Sequence, residues 1–166
     1  MMSSLIHLYL VDEDVYPNTL TGEDEAKYQA LLRITEDEAI RWQSLELNMR
    51  GFIPALATWD KIAGNSKLLS VCSFHYYPHQ LIGPAADLSG SFGFFPAKMV
   101  QDLFSIMQKH YDFDLDSPEG HDIIEAIEAE LGEVDFQAYE MVRDRYFVSF
   151  RDAAEQGKAI VVLIED

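Results

Sequence analysis

Two uninterrupted apolar, β-prone runs stand at opposite ends of this 166-residue chain, Leu5–Val11 (LIHLYLV) and residues 159–164 (AIVVLI). Their length and their β-branched and aromatic content mark buried strands rather than helices. Asp12-Glu13-Asp14 stops the first. The sequence between them is rich in helix signals. This predicts an α+β fold in which a small sheet includes the N- and C-terminal strands and is covered by about five helices. The length suits a single domain over residues 1–166. With 48% hydrophobic residues, including ten Phe, eight Tyr and two Trp, the chain can fill a core, which argues against disorder.

The helix signals can be placed one by one. Thr21-Gly22-Glu23-Asp24 predicts a cap for a helix over 23–33. Thr35-Glu36-Asp37-Glu38 has the form of a capping box and predicts a second helix running to Met49, closed by Gly51 and Pro54. From Leu68 to Pro96 the only charged side chain is Asp87, and the prolines and glycines exclude one long helix. A strand over 71–76 and an irregular apolar wrap are expected there, with a turn at 89–93. Pro96 suits the first turn of a helix reaching His110, with Val100, Leu103, Phe104 and Met107 on one face. Ser117 and Pro118 open another helix that ends at Leu131-Gly132, with Ile123, Ile124, Ile127 and Leu131 as its buried stripe. A last helix over 135–156 turns Phe136, Tyr139, Tyr146, Phe147 and Phe150 inward, and Gly157 ends it.

Charge narrows the function. Twelve basic residues face 29 acidic ones, a net of −17, where small soluble domains carry about 2 to 8 in magnitude. Such a field repels phosphates and anionic lipid heads, so neither nucleic acid nor membrane is an expected partner, and a basic protein is. No apolar run is long enough to span a bilayer. Leu5–Val11 is too short for the apolar segment of a secretion signal and has no basic flank. Cys72 is the only cysteine, which excludes an intrachain disulfide and fits a reducing cytoplasm.

The acidity is concentrated. Between His110 and Arg143 lie eleven acids and no Lys or Arg: Asp112, Asp114, Asp116, Glu119, Asp122, Glu125, Glu128, Glu130, Glu133, Asp135 and Glu140. On the helical wheel Asp122, Glu125 and Glu128 fall opposite the isoleucines. Their like-charge i,i+3 spacings each cost about 0.2–0.5 kcal/mol of helix stability. A solvated helix face ordinarily intersperses lysines and this one does not. The first ten of these acids are therefore the candidate partner-binding residues, as a docking face for a cationic partner, against the plainer alternative of a soluble surface.

Other patterns are weaker. Asp112, Asp114 and Asp116 open like a calcium loop, but Ser117 and Ile123 stand where that loop needs Gly and Glu. Cys72, His75 and His79 have ligand-like spacing without an evident fourth ligand. With an enclosing pocket they would make the apolar 68–96 region a small-molecule- or metal-binding enzyme site, the alternative to a binding protein. Phe74, Tyr76, Tyr77, Phe92, Phe94 and Phe95 make the same region either core or an aromatic contact surface. Ser89-Gly90-Ser91-Phe92-Gly93 lacks the lysine of a phosphate loop. No nucleophile elbow or zinc-protease motif is present. The sequence thus points to no catalytic residue, no metal site and no cofactor. His7 within the first strand and His110 at a helix end read as structural.

Gly93-Phe94-Phe95-Pro96 and the following helix resemble the Tyr-Leu-(Thr/Ser)-Pro helix start of the YfbM-like domains of unknown function. Phe150-Arg151-Asp152-Ala153-Ala154-Glu155-Gln156-Gly157-Lys158-Ala159 with the strand after it is similar to that family's C-terminal helix, glycine and strand. Trp42 and Leu45, placed on the second helix, are similar to its Trp-x-x-Leu stretch. The resemblance is specific over about the last 75 residues. The chain departs from the pattern before the last helix, where the acidic stretch replaces a Tyr-Pro segment. The resemblance implies a bacterial cytoplasmic α+β domain. Some relatives accompany toxins as immunity proteins, which implies a protein that neutralises a cognate bacterial toxin; no catalytic residues carry over.

Overall fold

A computed structural model of the chain describes residues 5–14, 23–46, 49–64 and 91–165. The two apolar end runs form strands β1 (Leu5–Val11) and β4 (Ala159–Glu165), paired antiparallel from Leu5↔Glu165 to Val11↔Ala159. β2 (Arg41–Glu46) adds to the other side of β1 and β3 (Ser91–Phe95) to the other side of β4. The sheet has the order β2-β1-β4-β3 and is antiparallel throughout. The central pair is apolar at almost every position because both of its faces are covered, whereas a one-sided sheet would alternate.

Ile6, Leu8, Leu10, Ile160, Val162 and Ile164 point to one face. There they meet α2 (Met49–Ile62), α3 (Ala97–Lys109) and the long C-terminal helix. That helix comprises α5 (Phe136–Met141), a π-helical turn over Val142–Tyr146 and α6 (Phe147–Gln156). Its wide turn departs from the unbroken α-helix expected there, and Tyr139, Val142, Tyr146, Phe147, Phe150 and Ala153 are all buried along it. Trp59 of α2 stacks on Tyr139 (centroids 4.6 Å apart, planes 7° apart) and meets Phe147 edge-on. On the opposite face Tyr9, Val11, Val161, Leu163, Phe92 and Phe94 pack with Tyr28, Leu31 and Ile34 of α1 (Asp24–Thr35). α4 (Pro118–Leu131) forms a satellite cluster, in which Ile124 and Ile127 join Ala57 and Val134.

Several expectations need correction. The segment read as a second helix is a strand. Thr35 ends α1, with its hydroxyl donating to the Leu32 carbonyl, and Asp37 accepts from the Ala39 amide in a tight turn. The capping-type residues thus close one helix and open no other. Alternation then decides: Leu45 is buried on the face that carries α2, α3 and the C-terminal helix, while Trp42 is 58% exposed on the other. Gly51 and Pro54 do not stop a helix; both lie inside α2. Phe52, Ala55, Leu56 and Trp59 supply the i, i+3, i+4, i+7 stripe that outweighs one lost hydrogen bond at Pro54. The expected turn at 89–93 gives way to strand β3 from Ser91. Its aromatics Phe92, Phe94 and Phe95 are core, not a contact surface. The strand expected at 71–76 lies outside the described residues.

Candidate functional site

The acidic segment starts at the end of α3. Asp114 accepts the Asp116 amide (2.9 Å). The Ser117 hydroxyl donates to the Asp114 carbonyl and accepts the Gly120 amide, which caps α4 as its Ser-Pro start predicts. Gly120 is required at this turn. A Cβ there would stand 2.4 Å from the Leu115 carbonyl oxygen and 2.7 Å from that of Asp114. Asp135 caps α5, accepting from the Gln137 and Ala138 amides (3.0 and 3.2 Å). Two of the candidate acids, Asp114 and Asp135, therefore also hold backbone.

Asp112, Asp114, Asp116, Glu119, Asp122, Glu125, Glu128, Glu130, Glu133, Asp135 and Glu140 are all exposed. Among the described residues, none of them forms an ion pair with a basic side chain. The nearby guanidinium of Arg143 is taken by Asp144 at 2.7 Å, a hydrogen bond that holds the Asp144 carboxyl below its ordinary range. Among the described residues no three His, Cys, Asp or Glu side chains converge as a metal site. The carboxylates of α4 thus face water, with no basic partner among the described residues to relieve their repulsion.

At the C-terminal end of α4 this face borders a cleft of about 1010 Å³. One wall is the start of α2 (Arg50, Gly51, Ile53 and Pro54), and the other is the α4–α5 connection from Leu131 to Gln137. Gly51, one of its lining residues, allows α2 to approach α5 closely, since a Cβ there would lie 2.8 Å from the Ala138 Cβ. Leu131 and Phe136, expected in the core, are 41% and 51% exposed. Leu131 is the last residue of α4 and Phe136 the first of α5, so both overhang the ends of the packed layer. The periodicity that marks them as apolar does not show where the layer beneath them ends.

A second constellation was not visible in the sequence. His7 lies on β1 directly opposite Ser44 of β2; its Nδ1 is 2.6 Å from the Ser44 hydroxyl, and its Nε2 is 2.9 Å from a Glu165 carboxylate oxygen. Trp42 stands beside the ring, 6.1 Å between centroids. Serine, imidazole and carboxylate in sequence could relay a proton. They lie, however, as a ladder on three adjacent strands, and they line neither the cleft between α2 and the α4–α5 connection nor the smaller hollows beside His121 and Met99. The ladder links the edge strand to the central pair. Only the strand register brings these residues together. Cys72, His75 and His79, with Phe74, Tyr76 and Tyr77, lie outside the described residues. No described helix is long and apolar enough to cross a membrane.

Neither a family model, nor a curated protein, nor a solved structure matches the chain.

Proposed function

We propose that this chain is a protein-binding domain that docks a basic partner on its 112–140 face, most specifically an immunity protein that neutralises a cognate bacterial toxin in the cytoplasm. The observation that carries the reading is the row of exposed carboxylates on and around α4 without ion pairs among the described residues. Asp122, Glu125 and Glu128, which cap no backbone among the described residues, cost α4 stability through their like-charge spacing, whereas the row as a whole accelerates encounter with a positive surface. A toxin that handles nucleic acid or nucleotides has a basic cleft, and an acidic surface can occupy it in place of the natural ligand. The resemblance of about the last 75 residues to YfbM-like domains, read from the sequence, supports the same reading.

The test uses the product of the gene beside this one. That product should arrest growth when expressed alone, and co-expression of the present chain should relieve the arrest; a neighbour without toxicity counts against the immunity reading. Changing Asp122→Lys, Glu125→Lys and Glu128→Lys together should lower the association rate at low salt by about tenfold or more, within the range of electrostatic steering. An association rate that is unchanged at low salt rules out steering by this face.

A further inference from the structure

Leu131 and Phe136 are large apolar side chains that the fold leaves about half in solvent, and both line the same cleft. The opposing wall carries Ile53 and Pro54, and Val134 lies between the two helix ends. Glu133 and Asp135 line the cleft, and the exposed Glu128 and Glu130 lead up to it along α4. Arg50, the one basic residue of the lining among the described residues, is already engaged with a neighbour. An apolar hollow bordered by carboxylates selects by two criteria at once. Its charge disfavours nucleic acid and anionic lipid, and its apolar walls give nothing to a purely polar polycation.

We propose that this cleft is the anchor point for a cationic amphipathic segment of the partner protein. One apolar side chain of that segment seats among Leu131, Phe136, Ile53 and Pro54, and flanking Lys or Arg residues meet Glu133 and the carboxylates of α4. The inference rests on the reading that the acidic face receives a basic protein, and adds where and by what chemistry the partner is held. The division of labour follows the usual anatomy of such interfaces. Peripheral charge sets the rate of encounter, and a buried apolar anchor sets the rate of escape.

The experiment measures binding of two labelled peptides, each about 15 residues long, to the full chain by fluorescence anisotropy. One is an amphipathic helix of leucine and lysine; the other is an oligolysine of equal charge. The leucine–lysine peptide should bind about tenfold or more tighter. Leu131→Ala with Phe136→Ala should remove that advantage and leave oligolysine binding unchanged. Both sites are exposed, and circular dichroism will verify that the double variant folds. A leucine–lysine peptide that binds the double variant as tightly as the wild type overturns the anchor while leaving the acidic docking face standing. Failure of both peptides to bind at low salt overturns both. Self-association of the free protein that the double variant abolishes would assign the cleft to a second copy of the chain and also overturn the proposal.

Discussion

If the carboxylates of α4 are kept for a partner and not for the fold, replacing the central one should make the protein more stable. Glu125 has Asp122 three residues before it and Glu128 three residues after it, all exposed, while its i±4 neighbours are His121 and Ala129. Glu125→Lys converts two repulsive i,i+3 pairs into attractive ones. Each pair contributes roughly 0.2–0.5 kcal/mol in either sense, so the swing is about 0.8–2 kcal/mol. A lysine on the N-terminal side of Glu128 has the weaker of the two orientations, which places the expectation near 1 kcal/mol. Glu125→Gln should give about half of that. In a chain of this size, 1 kcal/mol raises the melting temperature by about 2–4 °C. The assay is urea unfolding followed by far-UV circular dichroism. At about 10 mM salt the gain should be full. At about 1 M, where the screening length is about 3 Å, it should nearly vanish. Gln108→Lys, exposed on α3, controls for adding one positive charge to a chain of net charge −17. Equal gains from the two lysines, or no gain from Glu125→Lys, would refute the claim that this helix carries unrelieved local repulsion. The same Glu125→Lys protein should bind the cationic partner less well, so stability and binding should move in opposite directions.

Other outcomes follow from the packing. Gly120→Ala forces a Cβ into the backbone carbonyls of Leu115 and Asp114 and should cost about 1–3 kcal/mol in urea unfolding; neutrality would mean that the α4 start shifts freely. Phe136→Ala, at a half-exposed site, should change stability by less than about 1 kcal/mol, while Phe147→Ala in the core should cost about 3–5 kcal/mol. Burial raises the pKa of Tyr139, with Arg143 opposing weakly. Above about pH 10 the unfolded chain releases that phenolic proton while the folded chain keeps it. Stability is therefore whole below about pH 10 and falls as the pH rises further. Tyr139→Phe should flatten this decline, read from unfolding curves and tyrosinate absorbance. Because the Tyr139 hydroxyl has no hydrogen-bond partner among the described residues, the variant should lose no stability at neutral pH.

What could be read in advance was what local chemistry determines. The two end strands are apolar because they lie at the centre of the sheet. Ser117-Pro118 and Asp135 start their helices with the side-chain caps their types favour, and Gly157 ends α6 at φ 66°. The errors came where tertiary pairing overrode local preference. Thr35 to Glu38 fits a helix start as well as a helix end, and only the free edge of β1 makes Arg41–Glu46 a strand. Pro54 looks like a stop until the Trp59 stripe is seen to pack on the long C-terminal helix. The acidic face was legible because charge is local. The cleft beside it was not, because it depends on where Leu131 and Phe136 outrun the layer below. The His7, Ser44 and Glu165 ladder needed a register that no single sequence displays.

The pairing of β1 with β4 also sets when the molecule can be completed. The two central strands are separated by about 150 residues of chain, and ribosomes add about 5–20 residues per second. β2 can pair with one edge of β1 early, but for roughly 8–30 s the β4 neighbour of its other edge does not yet exist. During that interval the edge of β1 that will meet β4 presents unpaired backbone on an apolar strand, an edge open to wrong pairing until the final strand is made.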